Sequence, residues 1–157
     1  MNYQNYFDTL KEQKTIERNY KLSLENYKKE VIYQSYCEVI DFLYYVHQQG
    51  YRNPKGTPLN ESLDTPDELK TRVFNKIKWN GGESLYLDRE ISAFKILYKD
   101  DGILIECLGL GYNDKKIYFT TVEAFIKKIS EKILDTFVIV EPSKEDLELS
   151  YSNADPF

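Results

Sequence analysis

The sequence predicts an α+β fold in one domain: N-terminal helices, a small antiparallel sheet of three to five strands with a C-terminal helix, then a disordered acidic tail. Three observations carry that expectation. From Asn5 to Gln49 there is neither Gly nor Pro, and apolar residues recur at helical spacing. Between Ser84 and Thr120 the pattern changes to β-branched and aromatic runs punctuated by Gly, Asp and Asn. The Thr-x-x-Glu pattern of a capped helix start occurs at Thr65–Glu68 and again at Thr120–Glu123. A chain of 157 residues suits a single core. The organisation expected is a helical region at 1–49, a sheet region of the same domain at 50–140 and the tail at 141–157.

In the first region Ile16, Tyr20, Leu24, Tyr27 and Val31 form a narrow stripe that would suit a coiled-coil seam. The stripe then widens through Cys37, Val39, Ile40, Phe42, Leu43 and Val46, as a core-facing helix requires. This reads as one long helix, or as two with a break near Asn19 or Asn26. Gly50 ends it, and residues 50–64 form a loop rich in Gly, Pro, Asn and Ser. Thr65 as N-cap and Pro66 at the first helical position open a helix that buries Leu69, Val73 and Ile77. Asn80-Gly81-Gly82 stops it.

The sheet begins with a short strand at 84–87. Alternation along 91–98 puts Phe94, Ile96 and Tyr98 on one face, and Asp100-Asp101-Gly102 is a hairpin turn. The apolar run 103–110 reads as the central strand, and 116–120 as the next. A helix with Phe125, Ile126, Ile129 and Ile133 inward follows, then a β segment at 136–140.

Composition narrows the function. With 41% apolar and 30% charged residues and no run of about 18 apolar residues, the chain has no predicted membrane span. Residues 1–7 lack the basic flank and apolar run of a secretory signal, so a cytoplasmic protein is the expectation. Two cysteines, Cys37 and Cys107, support neither a disulfide scaffold nor a zinc cluster, and His47 is the one histidine. Asp100-Asp101 reads as a turn, Gly109-Leu110-Gly111 is too short for a nucleotide loop, and Glu106 lacks a Glu-x-Lys partner of nuclease type. Ser84 and the cysteines have no neighbouring histidine to activate them. No enzyme, cofactor or metal is expected.

Fourteen Tyr, eight Phe and one Trp are an unusual load, explained in part by a composition that fits a low-GC source. The net charge is −5, of which the tail holds −4: Glu141, Glu145, Asp146, Glu148 and Asp155 stand against Lys144 alone. The remaining −1 leaves a nearly neutral body, which binds nucleic acid only through a local basic patch. The segment 69–79 offers one, with Lys70, Arg72, Lys76 and Lys78 interleaved with Phe74 and Trp79 and no acid among them. Cations that track phosphates beside rings that stack on bases make a single-strand site. Tyr51 and Arg52 before the loop, and strand tyrosines Tyr98 and Tyr118, extend the candidate set. The plain alternative is an amphipathic helix whose charged side is merely solvated.

The chain's last residues, Asp155-Pro156-Phe157 after an acidic stretch, resemble the tail of bacterial single-stranded DNA-binding proteins. The resemblance implies that Phe157 docks in an apolar pocket on replication or repair proteins, with its carboxylate on a basic side chain and the acids steering approach. Ala154 and Asn153 depart from that pattern, where the family has acids. The order of strands and helix ending in residues 115–133 is loosely similar to Whirly-like single-strand binders and the related transcriptional coactivator domain, which dimerise through that helix. An OB-fold remains open through the short strand at 136–140.

The resulting expectation is a non-catalytic, single-stranded DNA-binding accessory protein of DNA replication, repair or transfer, RNA not being distinguished from DNA. Such proteins often belong to a plasmid or phage. The alternative is a protein–protein interaction module, or an inhibitor that mimics DNA, dimerising through the N-terminal helices.

Overall fold

The computed structural model describes residues 2–52, 65–86, 93–109 and 115–139. The fold is α+β. Helix α1 (Tyr3–Gln48) is continuous for 46 residues, about 70 Å at 1.5 Å per residue, with no break at Asn19 or Asn26. Asn2 caps it by accepting the Asn5 amide at 3.2 Å. Strand β1 (Tyr51–Arg52) follows, then α2 (Pro66–Lys76), β2 (Leu85–Tyr86), β3 (Ala93–Lys99), β4 (Gly102–Leu108), β5 (Ile117–Phe119), α3 (Val122–Thr136) and β6 (Val138–Ile139).

The main sheet is antiparallel in the order β2-β3-β4-β5, and β1 pairs with β6 in a second, two-stranded sheet. A two-residue turn at Asp100-Asp101 joins β3 to β4, and Asp100 takes φ 57°, the left-handed conformation Asp tolerates there. Register puts Phe94 opposite Cys107, Ile96 opposite Ile105 and Ile105 opposite Phe119. These residues line the covered face. Tyr36 of α1 meets Phe94 (5.7 Å between ring centroids), Phe94 meets Phe125 of α3 (5.2 Å), and Phe125 meets Phe119 (5.3 Å). The ring chain ties α1 and α3 to the same side of the sheet. On the other side, with Ala93, Lys95, Leu97, Leu104, Glu106, Leu108 and Tyr118, Ala93 at the strand start is the one buried residue among those described.

One contact sets how α1 meets the sheet. The edge segment pairs Gly81 with Leu97 and then Leu85 with Phe94, so it carries one residue more than β3 between these points, a bulge. The Tyr36 hydroxyl fills the gap, accepting the Ile96 amide at 2.9 Å and donating to the Glu83 carbonyl at 2.5 Å. Its ring lies on Gly82, where an added Cβ would sit 2.5 Å from the tyrosine ring. Burial pushes the phenol well above its ordinary pKa.

Two sequence expectations shift in detail. The residue that caps α3 is Thr121, whose hydroxyl accepts the Ala124 amide at 3.1 Å, rather than Thr120. The apolar strand 103–110 shares the centre of the sheet with β3, since each has two neighbours. Along α1, burial begins only at Ile32, and residues 2–24 are all exposed. The C-terminal third of this helix builds the core while the N-terminal part projects.

Candidate nucleic-acid interface

Thr65 caps α2 by accepting the Glu68 amide at 3.2 Å, and Leu69 and Val73 seat the helix on α1. The two run antiparallel: Lys70 reaches Asp41, Phe74 meets Tyr33 edge to face at 5.2 Å between centroids, and Trp79, just past the helix, meets Lys28. This places the expected basic segment on the surface, but three of its four cations have acid partners. Lys70 pairs with Asp41 at 2.7 Å, and this hydrogen bond raises its pKa. Arg72 and Lys76 converge on the carboxylate of Glu83, at 3.2 and 3.3 Å. Lys78 is exposed, with no acid partner among the described residues.

The rings do better than the cations. Phe74 is 60% and Trp79 47% exposed despite their size. The Lys28 ammonium sits 5.6 Å from the Trp79 ring centroid and 5.3 Å from that of half-buried Tyr98, a cation shared by two aromatic faces. Lys28 lies 51 residues from Trp79 in sequence, so no local motif marks it. Packing of α1 against the turn after α2 brings it in. Lys28, Trp79 and Tyr98 therefore meet at the point where α1 leaves the body, with exposed Lys78 next to Trp79 in the chain and exposed Phe74 on Tyr33 of the same helix α1.

The other expected residues lie elsewhere. Tyr51 and Arg52 follow the far end of α1, twenty residues beyond Lys28 along that helix, or about 30 Å. The Arg52 guanidinium is engaged there, donating to the His47 carbonyl at 2.8 Å and lying 3.2 Å from the His47 ring. Burial, then the Arg52 charge, lowers the His47 pKa. Tyr118 stands opposite Glu106 on the open side of the sheet, whereas Tyr98 stands opposite Ile103 on the covered side. One ligand strand therefore does not stack on both. Glu106 is half-buried, with Lys116 at 4.0 Å. The tail residues Asp155, Pro156 and Phe157 lie outside the described residues.

Both cysteines are free thiols, and burial pushes that of Cys107 up to about 12. Among the described residues no three His, Cys, Asp or Glu side chains converge as metal ligands. No described helix is long and apolar enough to cross a membrane. No protein-family model, curated protein or solved structure matches the chain.

Proposed function

We propose that the chain is a non-catalytic, cytoplasmic binding protein for single-stranded nucleic acid, with Lys28, Phe74, Lys78, Trp79 and Tyr98 as its contact set. The observation that carries this reading is the sharing of Lys28 between the exposed Trp79 and the half-buried Tyr98. Rings supply sequence-tolerant stacking, on the order of 1–3 kcal/mol per base, and the lysines follow the phosphates. Phosphate can also exchange for Glu83 at Lys76, because that ion pair is partly exposed and is worth little on its own. In the same proposal the acidic tail recruits a replication or repair partner through Phe157, and steers away non-specific nucleic acid by its charge.

The test is fluorescence anisotropy of labelled oligo-dT with the full chain and with a chain ending at residue 140. The expected result is binding in the micromolar range, tighter without the tail. With two lysines on phosphates, log affinity should fall with log salt at a slope of about −1.4. Trp79→Ala or Lys28→Ala should weaken it at least ~5-fold, a loss of about 1 kcal/mol, while Tyr118→Ala leaves it unchanged. No binding at low salt by either chain would refute the reading.

A second reading, a protein–protein interaction module, is favoured by a different observation. The projecting part of α1 carries Tyr3, Tyr6, Phe7, Leu10, Ile16 and Tyr20, all exposed.

A further inference from the structure

Along the projecting part of α1, Tyr3, Tyr6, Leu10, Gln13, Glu17, Tyr20, Leu24, Tyr27 and Val31 follow one another at strictly alternating steps of three and four. This is the a/d seam of a heptad repeat. The body does not cover it: Tyr3 is 78%, Tyr20 71% and Tyr27 60% exposed. A helix standing alone in water gains little stability from its own hydrogen bonds, so a covered seam would stabilise this one.

We infer that the occupant is a second copy of this chain, lying antiparallel, with the two arms related by a two-fold axis near residue 15. The seam is self-complementary in that arrangement and in no other simple one. Seam positions of one copy then face their mates in the other as Tyr3 with Tyr27, Tyr6 with Leu24, Leu10 with Tyr20 and Gln13 with Glu17. The only two polar residues of the seam between Tyr3 and Val31 thus meet each other, amide against carboxylate, and every other layer is apolar. Ile16, 62% exposed, flanks the axis and meets its own copy. Lys14 lies 3.5 Å from Glu17 and supplies charge beside the polar layer. A parallel pair would instead set Glu17 against Glu17 in the seam, two carboxylates in a desolvated layer.

Area and geometry agree. Seven apolar side chains per arm, each giving up roughly 100 Å² of the 150–250 Å² that a large ring carries, bury about 700 Å² per copy, close to the half-interface of a stable complex. Burial in the body begins at Ile32, past Tyr27, so the two bodies sit at opposite ends of the paired arms and do not collide. The two Lys28 clusters would then lie about 40 Å apart.

The test uses the full chain. Sedimentation equilibrium at micromolar concentration should give twice 18.6 kDa, and the double substitution Tyr20→Glu with Leu24→Glu should halve that mass without changing the near-ultraviolet circular dichroism of the body. Orientation is read in a Cys37→Ser background. Leu10→Cys and Tyr20→Cys chains should form a disulfide when mixed, and neither should cross-link with itself. A monomer at that concentration, a dimer that survives the double substitution, or Leu10→Cys cross-linking alone would overturn the inference.

Discussion

Replacing Tyr36 by Phe removes one oxygen from the centre of the molecule and leaves the ring. The ring is fully buried against Gly82 and Phe94, so its packing survives the change. The Ile96 amide loses its acceptor and the Glu83 carbonyl its donor. Ile96 is fully buried, so its amide bears the whole desolvation cost, about 1–3 kcal/mol. Glu83 is half-buried rather than buried, so the loss at its carbonyl is smaller, about 0.5–1 kcal/mol. The sum, about 1.5–4 kcal/mol, is a large share of a stability of about 5–15 kcal/mol. It corresponds to a fall in Tm of roughly 3–16 °C for a chain of this length. Urea unfolding followed by far-ultraviolet circular dichroism measures it, with m unchanged. The pH dependence follows from the same geometry. The folded-state pKa of Tyr36 is raised above the unfolded value of 10.0, so its contribution is complete below pH 10 and is lost as pH climbs toward the folded value. Wild type should therefore lose stability above pH 10 more steeply than Tyr36→Phe. A loss below about 0.5 kcal/mol, or identical alkaline profiles, would refute the assignment of the hydroxyl as the plug of the bulge.

Other outcomes follow from single contacts. Gly82→Ala should destabilise by about 1–3 kcal/mol, because its Cβ meets the rigid Tyr36 ring at 2.5 Å, while Gly81→Ala meets only the flexible end of Leu97 and should cost less in the same urea titration. Thr121→Ala should cost about 1 kcal/mol by removing the cap of α3, and Thr120→Ala, exposed and without that role, close to nothing. With a thiol reagent near pH 8, half-buried Cys37 should label first and Cys107 only on unfolding, since burial holds its thiol near 12. Equal labelling rates would contradict the packing of β4 against the helices.

Elements governed by local rules were legible in the sequence. The absence of Gly and Pro from residues 5–49 is what keeps α1 unbroken, and the spacing of Phe125, Ile129 and Ile133 places α3 on the core. The hairpin at Asp100-Asp101 and the cap at Thr65 were readable for the same reason: turns and caps involve neighbours in the chain. The candidate interface was only partly legible. Phe74, Lys78 and Trp79 are where the segment 69–79 suggested, but Asp41 and Glu83, which engage Lys70, Arg72 and Lys76, come from outside it. Lys28 joins Trp79 only through the register of α1 on the body, a tertiary fact. Tyr98 and Tyr118 are another matter. Alternation along β3 already grouped Tyr98 with Phe94 and Ile96, and alternation along β5 sets Tyr118 against Ile117 and Phe119, so their separation by the sheet follows from the period of two.

Trp79 is the one tryptophan of the chain, so its emission reports on the proposed interface alone. The most direct measurement is a titration of the full chain with unlabelled oligo-dT at low salt, followed by tryptophan fluorescence. The account predicts saturable quenching as bases stack on the indole, reversed by added salt and weakened by Lys28→Ala. Emission that stays unchanged while anisotropy shows the oligonucleotide binding would place the nucleic acid elsewhere and contradict it.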